Sequence, residues 1–164
     1  MADRERLITP PPNIGVINRV LSVSHPFARA IVYGRKIYEL RRFPPYKSLD
    51  LKRFFIGETK NPVPFNGIHE DIKGYRPRPG HIIGSISTGG YFLLDSSHMN
   101  VQFASECGLT LDGLKQLKNE WKEVYSWILF DPQSYKHTKP TETFLLDKNK
   151  HGNVTSHTSV KPIR

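Results

Sequence analysis

The sequence predicts an α+β domain, a small mixed β-barrel with helices at its ends. Three observations carry that prediction. Strand-like and helix-like segments follow one another in the order β-α-β, several strands, α, β. Most connections between them are modest in length. A chain of 164 residues with nine Phe, seven Tyr and two Trp can fill one compact core, which argues against wholesale disorder despite a net charge of +9.

The folded unit is expected over 14–146. Residues 1–13 end in Thr9-Pro10-Pro11-Pro12, where three prolines remove backbone donors and favour an extended, flexible arm. Residues 147–164 are polar and aperiodic, and predict a disordered tail or one late edge strand.

Ile14–Val23 is rich in β-branched and aliphatic residues and reads as the first strand. Ser24 then suits an N-cap, Pro26 falls near the first turn, Phe27, Ala30 and Ile31 form an apolar stripe, and Gly34 sits where a left-handed C-cap belongs. A short helix over 25–33 follows from that punctuation. Lys36–Phe43 alternates as a strand, with Tyr38 and Leu40 on one face and Ile37, Glu39 and Arg41 on the other. Pro44-Pro45 ends it. Within 46–80 Phe54-Phe55-Ile56 has the look of a short strand, but the breakers that follow make the whole stretch read as a long loop, functional or mobile. His81–Ile86 and Tyr91–Leu94 flank Ser87-Thr88-Gly89-Gly90, which reads as a hairpin connection. Thr110 caps a second helix, with Leu109 and Leu114 at staple spacing and Leu111, Leu114, Leu117 or Lys118, and Trp121 as its stripe. Ser126–Phe130 reads as another strand, stopped by Asp131-Pro132.

Charge is distributed unevenly. Residues 1–80 carry 15 Lys+Arg against 7 Asp+Glu, residues 81–131 carry 3 against 6, and residues 132–164 carry 6 against 2. A positive face beside a neutral or acidic one suits a polyanionic partner. One cysteine forms no intrachain disulfide and falls short of a four-ligand zinc knuckle, which fits a reducing compartment. No apolar run approaches the ~20 residues of a membrane-spanning helix, and the N-terminal stretch lacks the apolar centre of a secretory signal. The expectation is an intracellular protein, cytoplasmic or nuclear, that does not engage membranes. The seven histidines show neither i,i+4 nor His-x-Glu spacing, so neither a metal nor another cofactor is expected.

The most informative segment is GRKIYELR at Gly34–Arg41. It matches the G-x-K-x-x-E-x-R signature of the ASCH family, relatives of the PUA domains. Its context is similar as well: SVSHPFARAIVYG places a strand and a short helix before it, HIIGSI resembles a later family strand, and YSWILFDP resembles the closing aromatic strand. The resemblance spans about 17–146. It implies a PUA-like barrel of five or six strands with two or three helices, a cleft beside the signature, and binding of RNA or a nucleotide moiety.

The residues support that implication on their own chemistry. Glu39 and Arg41 leave the same strand face, and Lys36 comes from the helix-to-strand junction just before them, so one carboxylate sits between two cations. The remaining donors of Lys36 and Arg41 are then expected to meet a phosphate or base edge, while Glu39 accepts from an exocyclic amine. Arg29, Arg35 and Arg42 flank the cluster and extend a phosphate-tracking groove, or are solvated surface arginines. Tyr33, Phe43 and Tyr46 lie near enough in sequence to stack a base, whereas Tyr38 shares the face of Leu40 and is assigned to the core.

Two alternatives belong to other classes. Some ASCH-like proteins act as small metal-independent hydrolases through the signature lysine, a hydroxyl nucleophile three residues later and a distant glutamate. Here that later position is Glu39, so hydrolysis of a modified nucleoside or RNA would rest on Lys36 and Glu39 as catalytic residues, with Glu106, acting on water. The other alternative is a protein-interaction module built from the 60–80 stretch and the tails. Cys107 has no neighbouring base in sequence and is read as a small buried thiol.

Overall fold

In the computed structural model the described residues are 17, 19–47, 52–60, 64–141, 155–157 and 162–163. The regular elements in chain order are β1 (Arg19–Val23), α1 (Phe27–Val32), β2 (Tyr38–Arg41), β3 (Arg53–Glu58), β4 (His81–Leu93), α2 (Val101–Glu106), α3 (Leu111–Trp121), β5 (Tyr125–Pro140), β6 (Thr155–His157) and β7 (Pro162–Ile163). They form one mixed sheet of order β2-β5-β4-β3-β1-β6-β7. The first five of these strands in spatial order make a half-barrel, and with three α-helices the α+β class is as the sequence predicts. The arm over 1–13 and most of 142–164 lie outside the described residues. Within the latter, β6 pairs parallel with β1 and β7 antiparallel with β6.

Three element readings change. Phe54-Phe55-Ile56 lies not in a loop but in β3, which pairs parallel with β1 and antiparallel with β4. All three side chains are fully buried, because Phe54 and Ile56 enter one apolar cluster and Phe55 another on the opposite face. A strand covered on both faces shows a continuous apolar run instead of alternation. The hairpin at Ser87–Gly90 is instead the middle of a single 13-residue strand, β4, whose register against β5 shifts between Thr88 and Tyr91. Gly90, at φ +103°, serves a bulge there, not a turn. Asp131-Pro132 does not stop β5, which runs on to Pro140. Asp131 takes φ +59°, and Arg53 donates to its carbonyl at 2.6 Å and its carboxylate at 2.7 Å. A proline is tolerated where such a bulge interrupts the ladder.

The helices follow their punctuation more closely. Gly34 has φ +78°, and the N–H groups of Arg35 and Lys36 both donate to the Ala30 carbonyl, turning the chain off α1 into β2. Ser24 contributes its carbonyl to α1, which accepts from Ala28 N–H, and no side chain caps that helix. Thr110 caps α3 by accepting from Gly113 N–H at 3.0 Å. Helix α2, absent from the sequence reading, starts at Asn100, whose side chain accepts from Phe103 N–H at 2.8 Å.

The core has two main bodies. One fills the half-barrel around Leu21, Ile31, Phe54, Ile83 and Trp127. The other joins Leu40 and Leu94 to Phe103, Cys107, Leu109 and Leu114 of the α2–α3 region. Phe27 packs on both, so the start of α1 stands at their seam.

Candidate functional site

A cavity of about 500 Å³ opens at that seam. The end of β1 gives Ser22–Ser24, α1 gives Phe27, β2 and its sequel give Glu39–Phe43, the end of β3 gives Thr59, and α3 gives Leu117 and Trp121. Phe65 enters from the stretch before α2, and Cys107 and Leu109 close the back. Phe65 can do so because its segment lies directly on α3. There Gly67 and Gly113 approach so closely that a Cβ on Gly67 would sit 2.4 Å from the Gly113 Cα, and Thr110 N–H donates to the Gly67 carbonyl at 2.8 Å.

The signature charges form the floor. Lys36, Glu39 and Arg41 are 4%, 5% and 8% exposed, so the sequence expectation of solvent-facing donors does not hold. Arg41 Nε and Nη2 each stand 2.7 Å from Glu39 Oε2, and Nη2 also donates to the Ser22 carbonyl at 3.2 Å. Lys36 Nζ lies 3.1 Å from Glu39 Oε1 and donates to the carbonyls of Tyr38 and Cys107. An ammonium has three N–H groups, and these three acceptors occupy them. Burial pushes the Glu39 carboxyl upward, but the charges of Arg41 and Lys36 and their hydrogen bonds outweigh it, leaving Glu39 below the ordinary carboxylate range. Burial raises the Cys107 thiol to about 12, so it stays protonated and is no nucleophile at neutral pH.

The remaining predicted residues separate. Arg42 is exposed and lines the cavity, with its guanidinium carbon 5.0 Å over the Trp121 ring. Arg29 and Arg35 are not among the lining residues. Arg29 is buried over Tyr33, and Arg35 donates to the Ser105 carbonyl at 2.6 Å and pairs with Asp71 at 3.3 Å. Glu106 also stays off the wall, accepting from Gln102 at 3.0 Å. Phe43 lines the cavity, whereas Tyr33 and Tyr46 do not, and Tyr38 packs on the second cluster.

Sequence reasoning missed the walls. Phe27 and Trp121 were legible as helix stripes facing a core, without any sign that part of that core is open. Phe65 carried no signal beyond its place in a long connection. A half-buried pair also escaped it: His25 Nδ1 stands 3.4 Å from the buried Glu58 Oε2, beside the cavity-lining Ser24 and Thr59, while Glu58 Oε1 accepts from Arg78 N–H. Among the described residues no cluster of three His, Cys, Asp or Glu could hold a metal ion, and no helix is long and apolar enough to cross a membrane.

Two solved structures share this architecture, both variants of the ASCH protein of Zymomonas mobilis. One is 21% identical with a TM-score of 0.54, over 83% of this chain and 81% of its own. The other is 20% identical with a TM-score of 0.56, over 88% and 91%. No family model and no curated protein matches the sequence. What these likenesses show is the fold, the α+β architecture of those ASCH proteins.

Proposed function

We propose that this domain binds nucleic acid, holding RNA or a nucleotide moiety in a basic cleft whose floor is Lys36, Glu39 and Arg41. One observation carries the reading: an open cavity of about 500 Å³ sets flat apolar walls, among them Phe27, Phe65 and Trp121, around a charged floor and beneath an exposed arginine. Walls of that kind favour an unstacked base, and the charges favour a ligand rich in acceptors. The sequence pI of about 9.7 and the basic first half add long-range attraction for a polyanion. Hydrolysis gains less support. The three N–H groups of Lys36 are already engaged, and Glu39, held ionised by two cations, is a weak proton acceptor.

The test is affinity for single-stranded RNA, double-stranded RNA, DNA and free nucleosides across a salt series, with product analysis on the same mixtures. The expected result is RNA affinity that falls steeply with salt and no product. No affinity at low salt, or a flat dependence, would favour a protein-interaction module. Turnover in chelator that Glu39→Gln abolishes would establish the hydrolase instead.

A further inference from the structure

The rim of the cavity carries a cation that the floor does not consume. Arg42 is exposed and seated over Trp121, and no described acidic side chain lies within ion-pair distance of it. A guanidinium held over an indole keeps an N–H edge for acceptors on the side away from the ring. That edge matches two phosphate oxygens better than any single acceptor.

Depth in the cavity separates two kinds of ligand chemistry. Phe27, Phe65 and Leu117 present apolar surface, where an unpaired phosphate would lose its hydration without return. The Lys36 donors below them are taken by Glu39 and two carbonyls. A phosphate is therefore best met at the rim and a base best met within. Resting on the reading of this cavity as a nucleotide pocket, we infer that its ligand is phosphorylated, base inward and phosphate on Arg42. Arg42, held by Trp121, is then the residue that separates nucleotides from nucleosides. A free mononucleotide and one nucleotide unit of an RNA chain present the same chemistry at this position.

The experiment titrates the full chain with the four ribonucleosides, their 5′- and 3′-monophosphates, a single-stranded oligoribonucleotide and inorganic phosphate. It is repeated on Arg42→Ala, Arg42→Lys and Trp121→Leu, with near-ultraviolet circular dichroism confirming that each variant is folded. The wild type is expected to bind a monophosphate about tenfold or more tighter than its nucleoside, the scale of charge-assisted hydrogen bonds. Arg42→Ala is expected to bring that ratio to within about twofold while nucleoside affinity stays, and to lower the salt slope for the oligoribonucleotide by about one. Arg42→Lys should restore part of the ratio, and Trp121→Leu should reduce it. Tighter binding of the oligoribonucleotide than of any mononucleotide assigns the phosphate to a chain, and the reverse assigns it to a free nucleotide. Nucleosides and monophosphates that bind wild type equally, or a phosphate preference that survives in Arg42→Ala, overturn the assignment of Arg42 alone. Absence of binding by every nucleoside, nucleotide and oligoribonucleotide overturns the nucleotide reading itself, and this inference with it.

Discussion

Arg41 and Arg42 are neighbours in the chain, each lies over a tryptophan ring, and both line the same cavity, yet they occupy opposite environments. Arg41 is buried 5.8 Å over Trp127 and bonded to Glu39, whereas Arg42 is exposed 5.0 Å over Trp121. The difference comes from where β2 ends. Arg41 is its last residue, still in register opposite Tyr125, and Arg42 has already left the ladder. A buried charge held by a carboxylate is part of the scaffold, because removing either partner strands the other in low dielectric. An exposed guanidinium on an aromatic ring adds little to stability and stays available to a ligand.

The strongest way to break this contrast is to truncate each arginine in turn. Arg41→Ala should destabilise the fold by about 3–5 kcal/mol, the scale for breaking a buried ion pair. Arg42→Ala should cost at most about 1 kcal/mol, the scale of an exposed cation–π contact. Urea denaturation of both variants measures the difference, and equal losses would erase the division into floor and rim.

Between floor and rim, acid should act on the floor. Glu39 titrates below its ordinary value when folded, so its contribution is fully present above the unfolded value near 4.5 and is lost as pH falls through the lower folded value. Wild-type stability should therefore decline below about pH 4.5 with a component that Glu39→Gln lacks. Thermal melts from pH 6 to pH 2.5 would show it, and superposable acid limbs would mean that Glu39 is not held as described.

The smallest expected signal concerns access. Cys107 forms the back of the floor with its thiol buried and raised to about 12, so alkylation at pH 8 should be slow in native protein and fast in denaturant. Mass spectrometry of iodoacetamide-treated samples reads both. Rapid native labelling would mean that the floor opens on its own.

Local chemistry explains what the sequence disclosed. Gly34 at φ +78° and the Thr110 cap are decided within a few residues, and the period of two placed Glu39 and Arg41 on one face. Burial is decided at a distance. GRKIYELR contains nothing to say that Trp127 would cover Arg41 or that the carbonyl of Cys107 would meet Lys36, which is why those donors read as exposed. Bulges misled in the same way. Gly89 sits inside β4 without a Cβ, which would fall 2.5 Å from the Phe130 ring, yet a glycine-rich strand and a turn look alike along the chain. Phe65 reaches the cavity through a glycine contact between residues 67 and 113, a pairing no short window contains.

The pairing of β2 with β5 has a kinetic side. Lys36, Glu39 and Arg41 lie within six residues, but the strand that covers them begins at Tyr125. Until that distant segment docks, the three charges form a small hydrated cluster whose attraction is weakened by water. They become a tight, dry triad only when the chain closes a loop of more than eighty residues, a slow and cooperative event of high contact order. A nascent chain that has emerged only as far as α3 thus carries every letter of the signature and every residue that lines the cavity, but not the strand that pairs with β2.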